Sequence, residues 1–282
     1  MDFQRIEPHL PVPFFIMALG LTFVIYIGGI DLSAQSMDNR VTVVASLYLA
    51  SLGLSVALLC IAAGFFLGMV SGYVTTRLLV PSFISTLAVG GIACSVAQWL
   101  SGQRALNMDA AQRNQLFVWD IGKTGIIPNA LFIAAILLAV TLFIERRTTR
   151  GRALKTVGAG EFAAAASGLN AARYKILAFA TSGRLAAIAG LIFSIKLSGG
   201  APSIANRFLL PAIVAVLVGG TPLTGGVGGV LNTFIRTLIV AVVRASMLYP
   251  NIKATAQQIV FGAVLIAAIA LSIDRSKLRI VK

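Results

Sequence analysis

Apolar residues occur in long blocks along this chain, and short polar segments separate the blocks. The blocks cover residues 12–28, 41–50, 55–74, 83–100, 130–144, 176–195, 208–219, 227–243 and 259–273. Several blocks approach the roughly 20 residues that a helix needs to cross a bilayer, and a few are clearly shorter. Long blocks mixed with short ones are typical of broken helices, because irregular backbone in a membrane must be buried or line a cavity. The pattern predicts an all-α fold, namely a polytopic transmembrane helical bundle with broken or half helices.

The longest polar interruption, residues 145–175, is strongly basic. Its alanine-rich middle predicts a short helix, because alanine favours helix, Glu161 suits the positive end of the helix dipole and Gly168 favours a stop. Three residues at i, i+4 and i+7 spacing give this helix an apolar face: Phe162, Ala166 and Leu169. From the loop alone, two interpretations are open: a membrane-surface helix held by lipid headgroups, and a docking site for a partner.

The composition places the chain in a membrane. Hydrophobic residues make up 58% of the 282 residues and charged residues 11%, which is far too apolar for a soluble domain of this length. The apolar blocks recur over the whole chain. We therefore expect a single transmembrane domain over residues 1–282.

The formal net charge of +14 raises the question of nucleic-acid binding. The basic residues lie mostly between apolar blocks and have no interleaved exposed aromatic residues, so we expect no nucleic-acid partner. The positive-inside rule explains them better, with the basic cluster at residues 146–155 in the cytoplasm. Alternation of the spans then puts residues 101–129 outside the cell. The same alternation places further basic positions inside: Arg77, Arg173, Lys175 and those of residues 275–282.

The matches to motifs for catalysis and nucleotide binding are incomplete in this chain. His9 is the one histidine and precedes the first apolar block, which argues against a histidine metal site or a Ser-His-Asp triad. Residues 122–124 resemble the end of a P-loop, but Phe117 stands where the motif needs glycine. Residues 158–163 match a loose dinucleotide fingerprint and lack the acidic residue that should follow. We expect no metal site, no cofactor and no enzymatic activity in this chain.

Gly64, Gly68 and Gly72 recur every four residues in the third apolar block. Glycines at this spacing share one helical face and let a neighbouring helix approach closely. We therefore expect a helix-packing face here.

Two apolar blocks end in similar glycine-rich breaks. The candidate residues of the first break (residues 28–33) are Gly28, Gly29, Asp31 and Ser33. Those of the second break (residues 219–229) are Gly219, Gly220, Thr221, Thr224, Gly225 and Gly226. Paired breaks in the two halves of a membrane protein indicate a translocation pathway. The alternative is a pair of tight helix-packing corners that contact no solute.

Asp31 is the one carboxylate in these breaks. A buried carboxylate near the end of a span is costly unless it is paired or caps a helix. One interpretation is a proton- or cation-coupling group. The preferred interpretation is a capping residue, because Asp31-Leu32-Ser33 is typical of a helix start.

Four motifs, in order along the chain, resemble those of the ribose-type (monosaccharide) ABC transporter permeases. They are residues 18–25 with 28–33, residues 81–88, residues 158–168, and residues 211–221 with 223–226. The resemblance extends from Ala18 to the C-terminus.

The resemblance implies the inner-membrane permease subunit of a bacterial ABC importer that moves ribose or a related sugar. A separate ATP-binding subunit would hold ATP and Mg²⁺ and dock on a coupling helix at residues 161–170. A periplasmic sugar-binding protein would dock on outer loops such as residues 101–129, and a second copy or a related permease would complete the importer. The residues implied in coupling are Gly158, Glu161, Phe162, Ala166, Gly168 and Leu169.

Alternatives to sugar import remain open from the sequence. Permeases for other small polar solutes, such as branched-chain amino acids, are distantly similar. The family pattern also has an additional span before the first motif, and it has apolar or small residues where this chain has Arg184 and Arg236. These departures leave open a non-transporting membrane scaffold or an ion-coupled channel.

Overall fold

The computed structural model describes residues 11–109, 111, 113–114, 122–124, 127–248 and 254–272. Helices dominate this part of the chain, which confirms the predicted all-α class. In chain order the helices are α1 (Pro11–Tyr26), α2 (Ala34–Leu52), α3 (Ser55–Arg77), α4 (Ser82–Ser101), α5 (Ala130–Arg147), α6 (Thr149–Ala159), α7 (Glu161–Ala166), α8 (Ala171–Leu197), α9 (Leu209–Val218), α10 (Val230–Leu248) and α11 (Ala254–Ser272). A 3-10 turn, Ile204–Arg207, precedes α9.

Four two-residue strands connect the helices. They are β1 (Leu106–Asn107), β2 (Lys123–Thr124), β3 (Ile127–Pro128) and β4 (Gly199–Gly200). β1 pairs antiparallel with β4, and β2 pairs antiparallel with β3.

Each predicted apolar block contains a helix, but α2 is much longer than its block at residues 41–50. The polar residues Asp38 and Asn39 precede that block, and both are fully buried within α2. The Asn39 amide donates to Asn206 Oδ1 (2.7 Å), and its oxygen accepts from the Ala205 backbone N–H (2.7 Å). The start of α2 at Ala34 agrees with the helix start that the sequence indicated at Asp31-Leu32-Ser33, and the tertiary hydrogen bonds of Asn39 let the first turns of α2 bury a polar side chain.

The first helix is the centre of the bundle. Every residue from Val12 to Ile27 is buried, and α1 contacts α5, α8, α9 and α10. The Thr22 and Thr233 hydroxyls share a hydrogen bond (2.9 Å) between α1 and α10, and the Phe15 and Phe234 rings meet edge to face at 5.2 Å. A helix that is apolar on nearly all sides is suited to this central position.

Helices α3 and α8 pack through the predicted glycine face, which is confirmed. A Cβ added at Gly64 would lie 2.5 Å from the Gly183 carbonyl oxygen, and one at Gly72 would lie 2.7 Å from the Ile176 Cα. The two backbones are therefore in direct contact, as small residues permit in membrane bundles.

The ends of the helices sort into two faces, and which face is cytoplasmic stays a prediction. The C-terminal end of α3, with Arg77, lies near the start of α8, because Gly72 contacts Ile176. At the opposite end of α8, β4 pairs with β1, which lies within the predicted outer segment 101–129. We call the end with Arg77, α6, α7 and the start of α8 the basic face. His9, part of the outer segment and the basic tail 275–282 lie outside the described residues.

Among the described helices, four are long and apolar enough to cross a membrane: Ser55–Arg77, Ser82–Ser101, Ala171–Leu197 and Val230–Met247. Large apolar side chains on α3 and α4, such as Leu58, Phe66 and Trp99, are exposed on the bundle surface. Exposure of this kind is expected against lipid and not against water. The chain is therefore a multi-pass membrane protein.

We expect Gly68→Ala to destabilise the bundle by about 1–3 kcal/mol, because the added methyl group overpacks the α3–α8 contact. A Cβ at Gly68 would lie 2.9 Å from the Ala180 Cα. Thermal unfolding in detergent measures the effect. Gly91→Ala in α4 is the matched control, because nothing lies within 4 Å of its Cβ position. Equal unfolding temperatures for the two variants would contradict the close packing.

Candidate functional site

The two glycine-rich breaks contact each other. The Tyr26 carbonyl at the end of α1 accepts a hydrogen bond from the Gly226 N–H (2.8 Å). Gly28 and Gly225 both have positive φ angles (71° and 78°), and a Cβ at Gly225 would lie 2.6 Å from the Gly28 nitrogen. Glycine is needed at these positions because side chains disfavour that conformation and would block the approach. Breaks that lie far apart in the sequence therefore form one structural unit.

Helix α6 of the basic loop packs onto this unit. A Cβ at Gly158 would overlap the Tyr26 carbonyl and lie 2.6 Å from the Gly226 nitrogen, and one at Gly226 would lie 2.7 Å from the Ala159 Cα. We call this contact of Tyr26, Gly28, Gly158, Gly225 and Gly226 the junction. The structure thus brings together the predicted coupling residue Gly158 with three predicted pathway glycines.

Three polar side chains at the junction are absent from the residues predicted by sequence: Tyr26, Glu145 and Lys155. The Glu145 carboxylate accepts from the Tyr26 hydroxyl (2.8 Å) and from the Lys155 ammonium (2.7 Å). The signal in the sequence was a lone carboxylate at the end of the apolar block 130–144, a position where an acid is unusual.

Asp31 is buried and fully hydrogen-bonded. Its Oδ1 accepts from the Ser33 backbone N–H (2.9 Å) and hydroxyl (2.6 Å), and its Oδ2 accepts from the Ser182 hydroxyl of α8 (2.6 Å). The bond to the N–H just before α2 agrees with the capping interpretation. Ser33 itself makes no side-chain cap bond to α2.

Helix α4 supplies side chains to the backbone of the first break. The Ile30 N–H donates to Ser82 Oγ (3.1 Å), and the Leu32 N–H donates to Thr86 Oγ1 (3.1 Å). Gly29 packs against Val24 and the Phe179 ring. The irregular backbone is thereby satisfied within the bundle, as its buried position requires.

The second break begins at Gly219, which caps α9, and it turns at Gly220 with a φ angle of 82°. Thr221 is fully buried, and its side chain packs against Gly228, whose φ angle is 126°. Thr224 is exposed, while its carbonyl faces Gly28. In this structure the break glycines are packing corners, and their part in a pathway stays a prediction.

The short helix predicted in this loop is confirmed and stops before Gly168 as expected, but the coupling helix expected at residues 161–170 was wrong in its extent. Helix α7 ends at Ala166, and Gly168 takes a positive φ angle of 78° that turns the chain away. Leu169 therefore leaves the predicted apolar stripe and packs half-buried against the core. Phe162 is 94% exposed. Ala166 is exposed as well, and Glu161 pairs with Lys175 at 2.5 Å.

A cavity of about 300 Å³ lies beside the first break, between α1 and α9. Its wall is largely apolar, and Asp31, Gln35 and Asn206 are its polar residues. Asp31 is the predicted pathway residue that lines this cavity. Across the described ranges, no three His, Cys, Asp or Glu side chains are grouped to hold a metal ion.

The two unusual arginines are exposed on the helix surfaces. Arg184 lies near the middle of α8, and Arg236 lies in the second turn of α10. Arg236 therefore lies nearer to the end of α10 at the basic face than to its other end.

We expect Asp31→Asn to stay within about 1 kcal/mol of the wild-type stability and Asp31→Ala to lose about 2 kcal/mol, because the amide keeps an acceptor for the Ser33 N–H whereas alanine leaves donors unpaired. Thermal unfolding in detergent checks this expectation, and solute uptake is measured alongside. If Asp31→Asn folds normally but abolishes uptake, the proton- or cation-coupling interpretation replaces the capping one.

Comparison with known families matches residues 10–269 to the family described as branched-chain amino acid transport system / permease component. The chain is also similar to curated permeases. It is 34% identical over 209 residues to a ribose import permease protein of Haemophilus influenzae, covering 72% of this chain and 64% of that protein. It is 31% identical over 194 residues to a probable ABC transporter permease protein of Escherichia coli strain K12, covering 69% and 58%.

A third relative, the galactofuranose transporter permease protein of Escherichia coli strain K12, is 29% identical over 210 residues, covering 73% of this chain and 61% of the relative. The chain thus spans about 64% or less of the length of these relatives. The resemblance to ribose-type permeases that the sequence motifs indicated is confirmed. With the family match extending over almost all of the described helices, the chain belongs to the family of branched-chain amino acid transport system permease components.

Proposed function

We propose that this chain is the permease subunit of an ATP-driven ABC importer that moves a monosaccharide, such as ribose or a related sugar, across the bacterial inner membrane. In this proposal ATP and Mg²⁺ are held by a separate ATP-binding subunit, and the chain itself catalyses no reaction. The sugar assignment is supported by relatives whose names include ribose and galactofuranose.

The proposal rests on the chain of contacts that connects the exposed helix α7, through α6 of the same loop, to the two breaks. Helix α7 exposes Phe162 almost fully, while α6 of the same loop packs Gly158 onto the junction. An ATP-binding subunit that holds the Phe162 ring would therefore act through one short, rigid segment on both breaks. A membrane-surface helix held only by lipid headgroups would have no need for this inward contact.

The exposed Phe162 ring is typical of a surface that binds another protein. Large aromatic side chains that fill a pocket at the centre of an interface dominate binding energies. The Glu161–Lys175 ion pair lies beside Phe162 and links the start of α7 to α8. Because Glu161 is largely exposed, this pair orients the start of α7 only weakly.

The remaining partners belong to the opposite end and the sides of the bundle. A periplasmic sugar-binding protein would dock at the end where β1 pairs with β4, within the predicted outer segment. A second permease copy or a related permease would pack alongside the bundle, and lipid would cover its exposed apolar helices.

A branched-chain amino acid is the second candidate solute, because the matching family carries that description. Competition for uptake separates the two candidates. In a host strain that depends on this chain, we expect excess unlabelled ribose or xylose to suppress uptake of labelled ribose, and excess leucine to leave it unchanged. Suppression of labelled leucine uptake by leucine alone would replace the sugar assignment.

ATP depletion tests the importer class in the same cells. We expect uptake to stop when ATP is depleted and to persist when only the proton gradient is collapsed. The reverse pattern would favour an ion-coupled channel, and no uptake of either solute would favour a scaffold.

Phe162→Asp should strongly weaken binding of the ATP-binding subunit, because a charge replaces the apolar anchor of the interface. Loss of such an anchor costs about 2 kcal/mol or more, which corresponds to about 30-fold weaker association. Co-purification from detergent-solubilised membranes of the host measures the effect.

The matched control is Thr156→Asp, which adds the same charge at an exposed position of α6 in the same loop. We expect this control to retain the ATP-binding subunit. Unchanged co-purification and transport with Phe162→Asp would refute docking on α7.

A further inference from the structure

Glu145 is a buried carboxylate at the end of α5, with 4% of its side chain exposed. It accepts hydrogen bonds from three elements of the bundle. Its Oε1 accepts from the Tyr26 hydroxyl of α1 (2.8 Å) and the Lys155 ammonium of α6 (2.7 Å). Its Oε2 accepts from the backbone N–H of Val230 (3.0 Å), the first residue of α10. One side chain therefore joins the loop helix to the helices that border both breaks.

Lys155 strengthens the same connection from the loop side. Its ammonium also donates to the Gly228 carbonyl in the second break (2.8 Å). The ammonium lies 5.0 Å from the centre of the Tyr26 ring, within the range of a cation–π contact. A single lysine of α6 thus contacts the second break, the end of α1 and the carboxylate.

The position of the Glu145 carboxylate suits the start of α10. The first N–H groups of a helix have no partner within the helix, and the helix dipole favours a negative charge there. Because Glu145 is buried, loss of its bonds to Tyr26, Lys155 and the Val230 N–H would leave an uncompensated charge.

Steric contact prevents α6 from moving toward the breaks, and hydrogen bonds oppose its movement away from them. At the junction, Gly158 and Gly226 leave no space for α6 to move closer to the breaks. That contact resists pushing and offers no resistance when α6 is pulled away. The bonds to Glu145 resist separation, because withdrawing Lys155 would leave a buried carboxylate without its counter-charge.

We propose that Glu145 is a positioning residue that, with Lys155 and Tyr26, ties α6 to the ends of α1 and α10, so that displacement of the basic loop moves both glycine-rich breaks as one unit. This inference rests on the proposed function for the force that moves the loop. The tie itself is a property of this chain and is measured without any partner.

The decisive variants change charge with little change in shape. Glu145→Gln offers one acceptor oxygen and one donor group, so it cannot accept from all three donors. Lys155→Gln removes the counter-charge, and Lys155→Arg restores it. The matched control is Arg152→Gln, which removes the same charge from an exposed position of the same helix. Tyr26→Phe removes one hydroxyl and replaces Glu145→Gln if that variant does not assemble.

Hydrogen–deuterium exchange of the full chain in lipid nanodiscs tests the tie. We expect the amides of residues 226–233 to exchange about tenfold faster in both variants. Glu145→Gln removes an acceptor oxygen from the group that holds the Val230 N–H, Lys155→Gln removes the donor to the Gly228 carbonyl, and either loss loosens this segment. Lys155→Arg should recover part of the protection, and Arg152→Gln should match the wild type. Wild-type exchange in Glu145→Gln would overturn the inference.

Transmission is tested in the complex with the host's ATP-binding subunit, by adding ATP, Mg²⁺ and vanadate. We expect exchange in the wild type to change both at α7 and in the second break. In Glu145→Gln the change at α7 should remain and the change in the second break should disappear. A merely structural defect would alter both regions together, and an intact response in the second break would overturn the inference.

The two proposals fail in different ways. If the wild-type chain retains no ATP-binding subunit, or if α7 does not respond to the nucleotide, the proposed function fails. The nanodisc measurement then tests by itself whether Glu145 ties α6 to α1 and α10. Faster exchange in Glu145→Gln than in the wild type supports this role, and equal exchange rejects it.

Discussion

The hydrogen bond from the Gly226 N–H to the Tyr26 carbonyl is the contact on which the candidate site depends. It closes the end of the central helix α1 against a segment that lies two hundred residues further along the chain. Backbone groups inside an apolar bundle must find partners, and an interrupted helix leaves several without one. Here one backbone bond pairs the two interruptions, side chains of α4 satisfy the rest of the first break, and the glycines allow the two backbones to approach. Both breaks are therefore parts of one element.

The role proposed for the basic loop depends on its contact with the two joined breaks. Its helix α6 is amphipathic in the ordinary sense, yet the buried side of α6 meets the junction and not a lipid surface. The exposed side of the loop carries Phe162 on α7. One short segment thus has an inner contact with both breaks and an outer contact available to a partner. This geometry is what an importer needs if the energy source is a separate protein.

The rest of the bundle provides a rigid frame. Helices α3 and α8 are in backbone contact through Gly64, Gly68 and Gly183, which leaves no space for repacking. The same α8 holds Asp31 through Ser182 and packs Phe179 against Gly29. The first break is therefore anchored on one side to this frame and on the other side to α6.

The sequence by itself determined the all-α membrane class, the positions of most helices, the glycine face of α3 and the family. These features follow from local composition and spacing, because apolar block length and small-residue periodicity are written along the chain. Tertiary structure decided the burial of Asn39 within α2 and the cluster of Tyr26, Glu145 and Lys155. Each depends on contacts between distant residues, such as the Asn39 bond to Asn206 or the Glu145 bond to Val230. A carboxylate's partners are set by how the helices pack, and nothing local in the sequence names them.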